Sequence, residues 1–389
     1  MKLGFYSHIT VKKNNNRYFI PSHIGIYISH LVSDISISKL FLFAHRADKD
    51  EYLNCDFEIT NSKIDILLLG NKKNAPYRMF FGWIEFLKFR NRFLQIDKFI
   101  VRVPTPLFTA FRFFVNKSKL IFLIVANEAE GANNLTINKF RDFILKLFLL
   151  LSDFLLLKFS RGITLLPNSK ILLDKFKGVS KSVFLVSTTT VSKEDIIKKN
   201  IIVNNKKIKI LFVGRIDPNK GLDILIDSIE VLKNKKYNFS LSIIGWEDNH
   251  SKYTSFLKEK IQNKNLDDVV SFKGKKNLGP DLYKYYRDSD IFIMPSFNES
   301  FPRTIWESMA SGCVVIASKV GAIPLTLSHE ENCLLVDKKN SVQLTNSIEL
   351  LINKPQLRSH LSKNAYKIVN NYTIENQSKI LINLIKNKI

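Results

Sequence analysis

The sequence has few cysteines, glycines and prolines for its 389 residues. Its three cysteines, Cys55, Cys313 and Cys333, are far apart in the chain, which argues against a disulfide framework or a Cys/His metal cluster. Only 14 glycines and 11 prolines are present, so long disordered linkers are not expected. No apolar segment is long enough to span a bilayer. The N-terminus, MKLGFYSHI, reads as a short buried strand, whereas a signal peptide needs a longer apolar stretch followed by a small-residue cleavage site. We therefore expect a cytoplasmic protein with buried thiols.

Acidic residues are also scarce, since 35 Asp and Glu stand against 59 Lys and Arg, giving a formal charge of +24. Such a surface attracts nucleic acid, anionic lipid or a phosphorylated substrate. Nucleic acid is not the expected partner, because the sequence contains no zinc finger, RNP-like strand or helix-turn-helix signature.

What the sequence does contain is a regular alternation of short apolar strands and longer helical patterns. The predicted strands are Lys2–Tyr6, Lys39–Phe43, Ile64–Leu69, Phe99–Val103, Leu120–Val125, Gly162–Leu166, Ser182–Val186, Ile208–Val213, Ser240–Ile244, Val269–Phe272, Ile291–Met294, Val314–Ala317 and Leu334–Val336. Continuous apolar strands separated by helices indicate parallel sheets covered on both faces. The fold class is therefore α/β.

The chain is too long for one compact core, and the polar stretch Ser187–Lys207 is the expected boundary. We predict a domain over residues 1–190, a linker over 191–206, a second domain over 207–370, and a C-terminal helix over 371–389 that packs back on the first domain. Two doubly wound Rossmann-like domains facing a central cleft would place the ligand site at the C-terminal ends of the strands.

The segment Ile210–Leu232, ILFVGRIDPNKGLDILIDSIEVL, reads as a strand, a turn and a helix. Gly214 ends the strand and Gly221 leads into the helix, so Arg215 and Lys220 are expected near a helix N-terminus. Two cations at that position suit a diphosphate, which the helix dipole also attracts. Solvated surface side chains are the alternative for both.

A second segment, Phe292–Pro324, contains a strand, a loop with Glu299, and a helix that begins near Pro302. Glu307 is expected about one turn into that helix, which Gly312 ends. The two carboxylates can then face one cleft at different depths. Glu307 suits the vicinal hydroxyls of a ribose, and Glu299 suits a sugar that is being transferred.

Together these segments resemble the family 4 retaining glycosyltransferases, and the similarity extends through most of Lys207–Lys339. The residues that carry it are Gly214 with Arg215, Lys220 with Gly221, Gly245 after a strand, the E-x7-E pair Glu299 and Glu307 with Phe301, Pro302 and Arg303 between them, and Val320–Pro324.

The resemblance implies a GT-B fold, a nucleoside-diphosphate sugar as donor, and no required metal or cofactor. It implies Arg215 and Lys220 on the diphosphate, Glu307 on the ribose and Glu299 at the donor sugar, so Arg215, Lys220 and Glu299 are the expected catalytic residues. Because the leaving diphosphate gains negative charge, two cations and a helix N-terminus can stabilise it without a metal ion. Gly214, Gly245, Phe301, Pro302 and Arg303 complete the expected donor site.

The N-terminal half, where the acceptor is expected to bind, resembles the family less. The glycine-rich loop of many relatives is reduced to Pro21–Gly25, and Asn127 and Glu128 stand where many relatives have a histidine. His23, Arg102 and Glu128 are the candidate acceptor residues, with structural or surface roles as the alternative. The expected acceptor is a hydroxyl of a glycan or a lipid-linked sugar, in surface polysaccharide biosynthesis.

Two segments suggest a peripheral contact with an anionic membrane at its inner face. Arg78–Leu94 mixes aromatic with basic residues, as interfacial helices do, and Phe140–Phe159 is apolar apart from a narrow polar stripe. Helices packed against the sheet are the alternative for both.

Other functions also fit parts of the sequence. Asp288 and Asp290 form the D-x-D of metal-dependent transferases, but they precede a strand, so Asp288 is expected to be a surface or capping residue. A nucleotide-sugar epimerase, a phosphorylase and a non-catalytic nucleotide-sugar-binding subunit share the expected fold.

Overall fold

The computed structural model describes residues 1–48, 54–71, 75–133, 140–199, 207–246 and 251–387. The chain divides into two compact units. Unit 1 comprises Met1–Thr188 and Gln377–Ile389, and unit 2 comprises Thr189–Asn376.

Unit 1 is built on an eight-stranded sheet. Its strands are β1 (Lys2–Asn14), β2 (Arg17–Ile20), β3 (Lys39–Arg46), β4 (Phe57–Glu58), β5 (Ile64–Asn71), β6 (Lys98–Val103), β7 (Leu120–Ile124) and β8 (Thr164–Pro167). Six of them form a parallel sheet in the order β5-β3-β1-β6-β7-β8. The short strands β2 and β4 extend the sheet from β1 in antiparallel pairing.

The helices of unit 1 cover this sheet, and many of the contacts between them are aromatic. They are α1 (Ser22–Ser33), α2 (Ala75–Phe81), α3 (Trp83–Leu87), α4 (Arg90–Gln95), α5 (Phe108–Phe114), α6 (Glu128–Asn133), α7 (Phe140–Phe159) and α8 (Lys170–Phe176). Phe86, Phe93 and Phe111 pack on Phe43 and Phe99 of the strands. Among the helices that the structure describes, none has the length and apolar character of a membrane span.

Unit 2 is built on a six-stranded sheet in which every pairing is parallel. Its strands are β9 (Ile208–Val213), β10 (Phe239–Ile244), β11 (Val270–Gly274), β12 (Ile291–Met294), β13 (Val314–Ser318) and β14 (Leu334–Val336). The order across the sheet is β11-β10-β9-β12-β13-β14. The chain thus builds outward from β9 in one direction, returns to the centre at β12 and builds outward in the other.

Helices lie on both faces of the unit 2 sheet. They are α9 (Leu222–Asn234), α10 (Ser251–Asn263), α11 (Pro280–Asp288), α12 (Arg303–Ala310), α13 (Ile323–Thr326), α14 (Ser341–Asn353), α15 (Pro355–Val369) and α16 (Ile374–Asn387), which begins in unit 2 and continues in unit 1. Alternate side chains of β9 enter different cores, Ile210 on one face and Leu211 on the other. Burial on both faces explains the continuous apolar strands of the sequence.

The structure differs from the predicted elements at Ser182–Val186, at Arg78–Leu94, and at β2 and β4, which were not predicted. Ser182–Val186 is not a full strand, because only Val183 forms a bridge, to Leu165 of β8. Arg78–Leu94 forms parts of three short helices rather than one. Within the predicted linker 191–206, Val191 is buried in the unit 2 core, whereas residues 200–206 lie outside the described ranges.

The loops at the carboxyl ends of the unit 2 strands pack backbone against backbone. A Cβ atom on Gly245 would lie 1.9 Å from the carbonyl oxygen of Gly214, and one on Gly321 would lie 1.6 Å from that of Glu299. Real Cβ atoms essentially never come closer than 3.0 Å to such an atom. Only glycine fits at either position, so these two glycines fix the spacing of the loops.

We predict that Gly245→Ala lowers the melting temperature measurably, because the new methyl group must push the Gly214 loop away at a cost of about 1–3 kcal/mol. Gly178→Ala is the matched control, since nothing lies within 4 Å of a Cβ there. Thermal unfolding of both variants tests the packing, and equal melting temperatures would contradict it.

Candidate active site

The candidate site of unit 2 lies at the carboxyl ends of β9 and β12, the two central strands. Connections leave these neighbours toward opposite edges of the sheet, and this topological switch point is where open α/β sheets bind ligands. The loop after β9 and the loop after β12 are tied together, because the Phe297 N–H donates to the Asn219 carbonyl at 2.7 Å. Residues about 80 positions apart therefore line one crevice.

Lys220 and Glu299 form an ion pair in this crevice. The Lys220 Nζ lies 2.5 Å from the Glu299 Oε1, and both side chains are largely buried. The Ser296 hydroxyl donates a second hydrogen bond to the same carboxylate oxygen, at 2.9 Å. The sequence predicted Lys220 and Glu299 in one site, but it gave no signal for Ser296.

Lys220 also precedes the N-terminus of α9. Residues Pro218–Lys220 form a 3₁₀ turn capped by the Asp217 side chain, which accepts from the Asn219 N–H at 2.9 Å. Gly221 then adopts φ +66°, a left-handed conformation that favours glycine, before the helix begins at Leu222. The positive end of the helix dipole therefore lies beside the lysine.

Arg215 lies two residues beyond β9, and its side chain is 53% exposed. Its Nη2 is 3.6 Å from an oxygen of the buried Asp217, so the contact is a loose ion pair rather than a close hydrogen bond. The backbone of Gly214, the residue before Arg215, lies in close contact with Gly245 at the end of β10. The guanidinium is held near the crevice but keeps access to solvent.

Glu307, the fifth residue of α12, is only 3% exposed. Its Oε1 accepts a hydrogen bond from the Thr190 hydroxyl at 2.8 Å, and its Oε2 accepts one from the Tyr286 hydroxyl at 3.0 Å. Burial, followed by the nearby Glu307 charge, raises the pKa of Tyr286 well above its ordinary value, so this hydroxyl remains a donor. The sequence identified neither partner, since Thr190 stood at the predicted domain boundary and Tyr286 in a helix with no motif.

The residues between the two glutamates form an apolar turn. Pro302 precedes α12 and Arg303 is its first residue, close to the predicted helix start. The Phe301 ring stacks on Trp306 with 5.4 Å between ring centroids. Phe301, Pro302 and Trp306 line a small apolar surface pocket. The turn thus fixes the direction in which α12 leaves the Glu299 loop.

In unit 1 the three acceptor candidates lie in two places. His23 is the second residue of α1, and the positive charge of Arg102 in β6 acts on Tyr27 of the same helix. Glu128, the first residue of α6, accepts a hydrogen bond from Ser152 and lies near Lys175. Arg102 and Glu128 are nonetheless near one edge of the sheet, because β6 and β7 are neighbouring parallel strands.

Unit 1 also contains a buried polar cluster that the sequence did not indicate. The Tyr6 hydroxyl lies 3.1 Å from the His45 Nε2 and 3.2 Å from the Thr105 hydroxyl. The Arg78 Nη1 lies 2.7 Å from the Nδ1 of His8. Desolvation by burial raises the pKa of Tyr6 to about 12, so it remains a neutral phenol. These residues come from three elements and a loop, with no common motif.

The D-x-D residues have structural contacts. Asp288 is the exposed last residue of α11, as expected for a surface or capping position. Asp290 accepts a hydrogen bond from the Lys209 N–H at 3.0 Å and lies 3.6 Å from the Lys199 Nζ. Within the described ranges, no three His, Cys, Asp or Glu side chains are grouped as metal ligands would be.

Solved structures of similar fold cover almost the whole chain. Sucrose-phosphate synthase from Thermosynechococcus elongatus superposes with a TM-score of 0.75 at 17% identity, covering 98% of both chains. The Anabaena protein HepE, solved in complex with UDP, superposes with a TM-score of 0.71 at 14% identity, covering 99% of both. With two Rossmann-like domains and these structural neighbours, the chain has the GT-B fold that the sequence predicted.

Sequence similarity is concentrated in unit 2. Residues 193–368 match the family model described as glycosyl transferases group 1. A D-inositol 3-phosphate glycosyltransferase from Pseudarthrobacter chlorophenolicus is 28% identical over 158 residues, which are 40% of this chain and 37% of that protein. The chain spans less than half the length of the curated relatives it matches. These matches show that unit 2 is similar in sequence to the group 1 glycosyl transferases, while the narrower family 4 and retaining assignments remain predictions.

The titration of Glu128 gives a test of its surroundings. Burial raises the pKa of this carboxyl above its ordinary 4.5, although the Ser152 hydrogen bond acts in the opposite direction. The folded state therefore binds the proton more tightly than the unfolded chain, and the stabilisation it brings is lost as the pH rises through the raised pKa. Glu128→Gln removes the charge that burial disfavours, so it should raise the melting temperature at about pH 7. The gain should disappear below the ordinary pKa of the carboxyl, where Glu128 is itself protonated.

Glu58→Gln, a partly exposed glutamate of the same unit, is the control. The measurement is the melting temperature of the three proteins over a pH series. A Glu128→Gln gain that persists at acidic pH would mean that the charge of Glu128 is not its cause.

Proposed function

We propose that this protein transfers a sugar from a nucleoside-diphosphate sugar to a hydroxyl of a glycan or lipid-linked acceptor, with retention at the anomeric carbon and without a metal ion. The observation that carries the proposal is the Lys220–Glu299 ion pair at the switch point of the unit 2 sheet. The group 1 match covers this region.

The proposed chemistry depends on the leaving diphosphate. When the bond between the sugar and the diphosphate breaks, negative charge develops on the phosphate oxygens, and fixed cations stabilise it. Lys220 is held in place by Glu299, whereas Arg215 is exposed enough to reach a ligand. The N-terminus of α9 adds a third positive element. Glu299 would then contact the donor sugar.

Glu307 is proposed to bind the ribose. Each of its oxygens accepts one protein hydroxyl, and a carboxylate oxygen has a second lone pair for another donor. Thr190 and Tyr286 would thus be positioning residues that orient the carboxylate. A donor based on UDP is the first candidate, since HepE was solved with UDP.

Unit 1 is proposed to bind the acceptor through His23, Arg102 and Glu128. All three are partly exposed. A cation and a partly buried carboxyl near the ends of neighbouring strands suit a polar, hydroxyl-rich ligand. Exclusion of water from the site would protect the donor from hydrolysis, the competing reaction.

We predict that Lys220→Ala and Glu299→Ala each reduce sugar transfer by on the order of 10²-fold or more, because a preorganised charge partner of the transition state is lost or misplaced. The assay is release of UDP from UDP-glucose with a panel of glycan and lipid-linked acceptors. Lys233→Ala is the control, since Lys233 forms an ion pair with Asp268 near the other end of α9.

Folding of each variant is checked by its melting temperature. Near wild-type turnover in a folded Lys220→Ala would overturn the site assignment. Conversion of the donor sugar without an acceptor would indicate an epimerase, and donor binding without turnover would indicate a binding subunit.

We also predict that UDP raises the melting temperature by mass action and that 2′-deoxy-UDP does so less. A hydrogen bond from a hydroxyl to a carboxylate contributes about 1.5–3 kcal/mol, so the deoxy ligand should bind about tenfold or more weakly. Glu307→Gln should narrow this difference, while Glu331→Gln, at an exposed site of unit 2, should not. If the wild type and Glu307→Gln prefer UDP over 2′-deoxy-UDP to the same extent, Glu307 does not bind the ribose.

A further inference from the structure

Helix α7 presents a row of large apolar side chains to solvent. They lie on one face of the helix at positions i, i+3, i+4, i+7, i+11 and i+14, and are Phe140, Phe143, Ile144, Leu147, Leu151 and Phe154. Phe140 is 76% exposed. The opposite face holds the buried Ser152 and Leu156. An amphipathic helix usually turns its apolar face toward the core, whereas α7 turns a wide apolar face toward solvent.

A second exposed apolar area lies on α2, α3 and α4. Its side chains alternate with core residues: Phe86 and Phe93 are buried, whereas Phe81, Trp83 and Leu94 are exposed, Leu94 by 75%. The division of this segment into three short helices thus gives both a packed inner side and an aromatic outer side.

Helix α5 connects the two areas. It packs against α2, α3 and α7. Its own Phe113 is 78% exposed. We call the exposed apolar side chains of α2–α5 and α7 the aromatic face. Exposed apolar side chains on neighbouring helices of a folded protein mark an interaction site.

The charge around the aromatic face is strongly positive. Residues 75–119 contain nine basic and two acidic side chains. Lys88, Arg90 and Arg92 are exposed within or beside it. Both acidic groups are already engaged, Glu85 with Lys88 at 3.0 Å and Asp97 with the N–H of Lys2 at 2.7 Å. The net field of this surface therefore attracts anions.

The combination of exposed apolar side chains and positive charge distinguishes between two occupants of the aromatic face, a second copy of the chain and a lipid bilayer. A second copy of the chain would bring an equal positive charge, on a protein of formal charge +24, against the same basic residues. The surface of an anionic bilayer offers the opposite charge together with an apolar layer for the aromatic rings. Charge complementarity thus favours lipid.

We infer that the aromatic face binds the surface of a bilayer that contains anionic phospholipid, with α7 and the α2–α4 helices lying in the headgroup layer. The aromatic and aliphatic side chains insert, while Lys88, Arg90 and Arg92 contact lipid phosphates. This inference does not depend on the proposed sugar transfer, because it concerns binding alone.

The test is sedimentation of the full-length protein with vesicles of phosphatidylglycerol and phosphatidylcholine, compared with phosphatidylcholine alone. We expect binding to the anionic vesicles at low salt that weakens as salt is raised. The charge variant Lys88→Glu/Arg90→Glu/Arg92→Glu should bind at least about tenfold more weakly, since each basic residue near the surface contributes about 1 kcal/mol.

An apolar variant, Phe113→Ser/Phe154→Ser, should also bind the anionic vesicles more weakly. Because both side chains are exposed, we expect this variant to keep the wild-type melting temperature, which checks that it is folded. Ile35→Ser is the matched control, because Ile35 is 96% exposed beside the amino end of β1. No wild-type binding to anionic vesicles, or wild-type affinity in both folded variants, would overturn the inference. Self-association that Phe113→Ser/Phe154→Ser abolishes, without vesicle binding, would assign the face to a second copy instead.

Discussion

The Lys220–Glu299 ion pair depends on β9 and β12 lying side by side in the sheet of unit 2. No local turn could bring these residues together, since 79 positions separate them. The doubly wound order does so because it starts both halves of the sheet at the centre, and the loops then meet at one edge. Gly245 and Gly321 maintain that meeting, since each allows one backbone to touch another. The site is thus a consequence of strand order, to which the motif residues add the charges.

Burial of Glu307 gives the proposed nucleotide site a rigid component. A buried carboxylate without partners would be costly, but the hydroxyls of Thr190 and Tyr286 compensate the loss of water. Side chains held in this way lose little further freedom when a ligand binds. The neighbouring Arg215, by contrast, has a side chain that is 53% exposed. The proposed donor would therefore bind to Glu307, whose position is fixed, and to Arg215, whose side chain is exposed.

Twelve of the thirteen strands predicted from local patterns are present, and α12 begins close to its predicted start, because buried parallel strands and a proline near a helix start are encoded by neighbouring residues. The short antiparallel strands β2 and β4 were not predicted. The local patterns also indicated that Lys220 and Glu299 share a crevice. They did not identify Tyr286, Ser296 or the Tyr6–His45 contact, since those partners depend on packing between distant segments. Arg78–Leu94 was ambiguous for a related reason: its aromatic residues serve both the core and the surface, and periodicity does not separate the two.

The chain passes between its units twice, after Thr188 and after Asn376. Near these points the Ile374 N–H donates to the Val191 carbonyl at 2.7 Å, and the Ser187 N–H donates to the Gln377 side chain at 2.9 Å. Unit 2 is therefore an insertion whose entry and exit are neighbours. Adjacent ends are what make a segment transferable between host chains or open to circular permutation. Residues 189–376 thus leave and rejoin the rest of the chain at neighbouring points, the second of which lies in the first turn of α16.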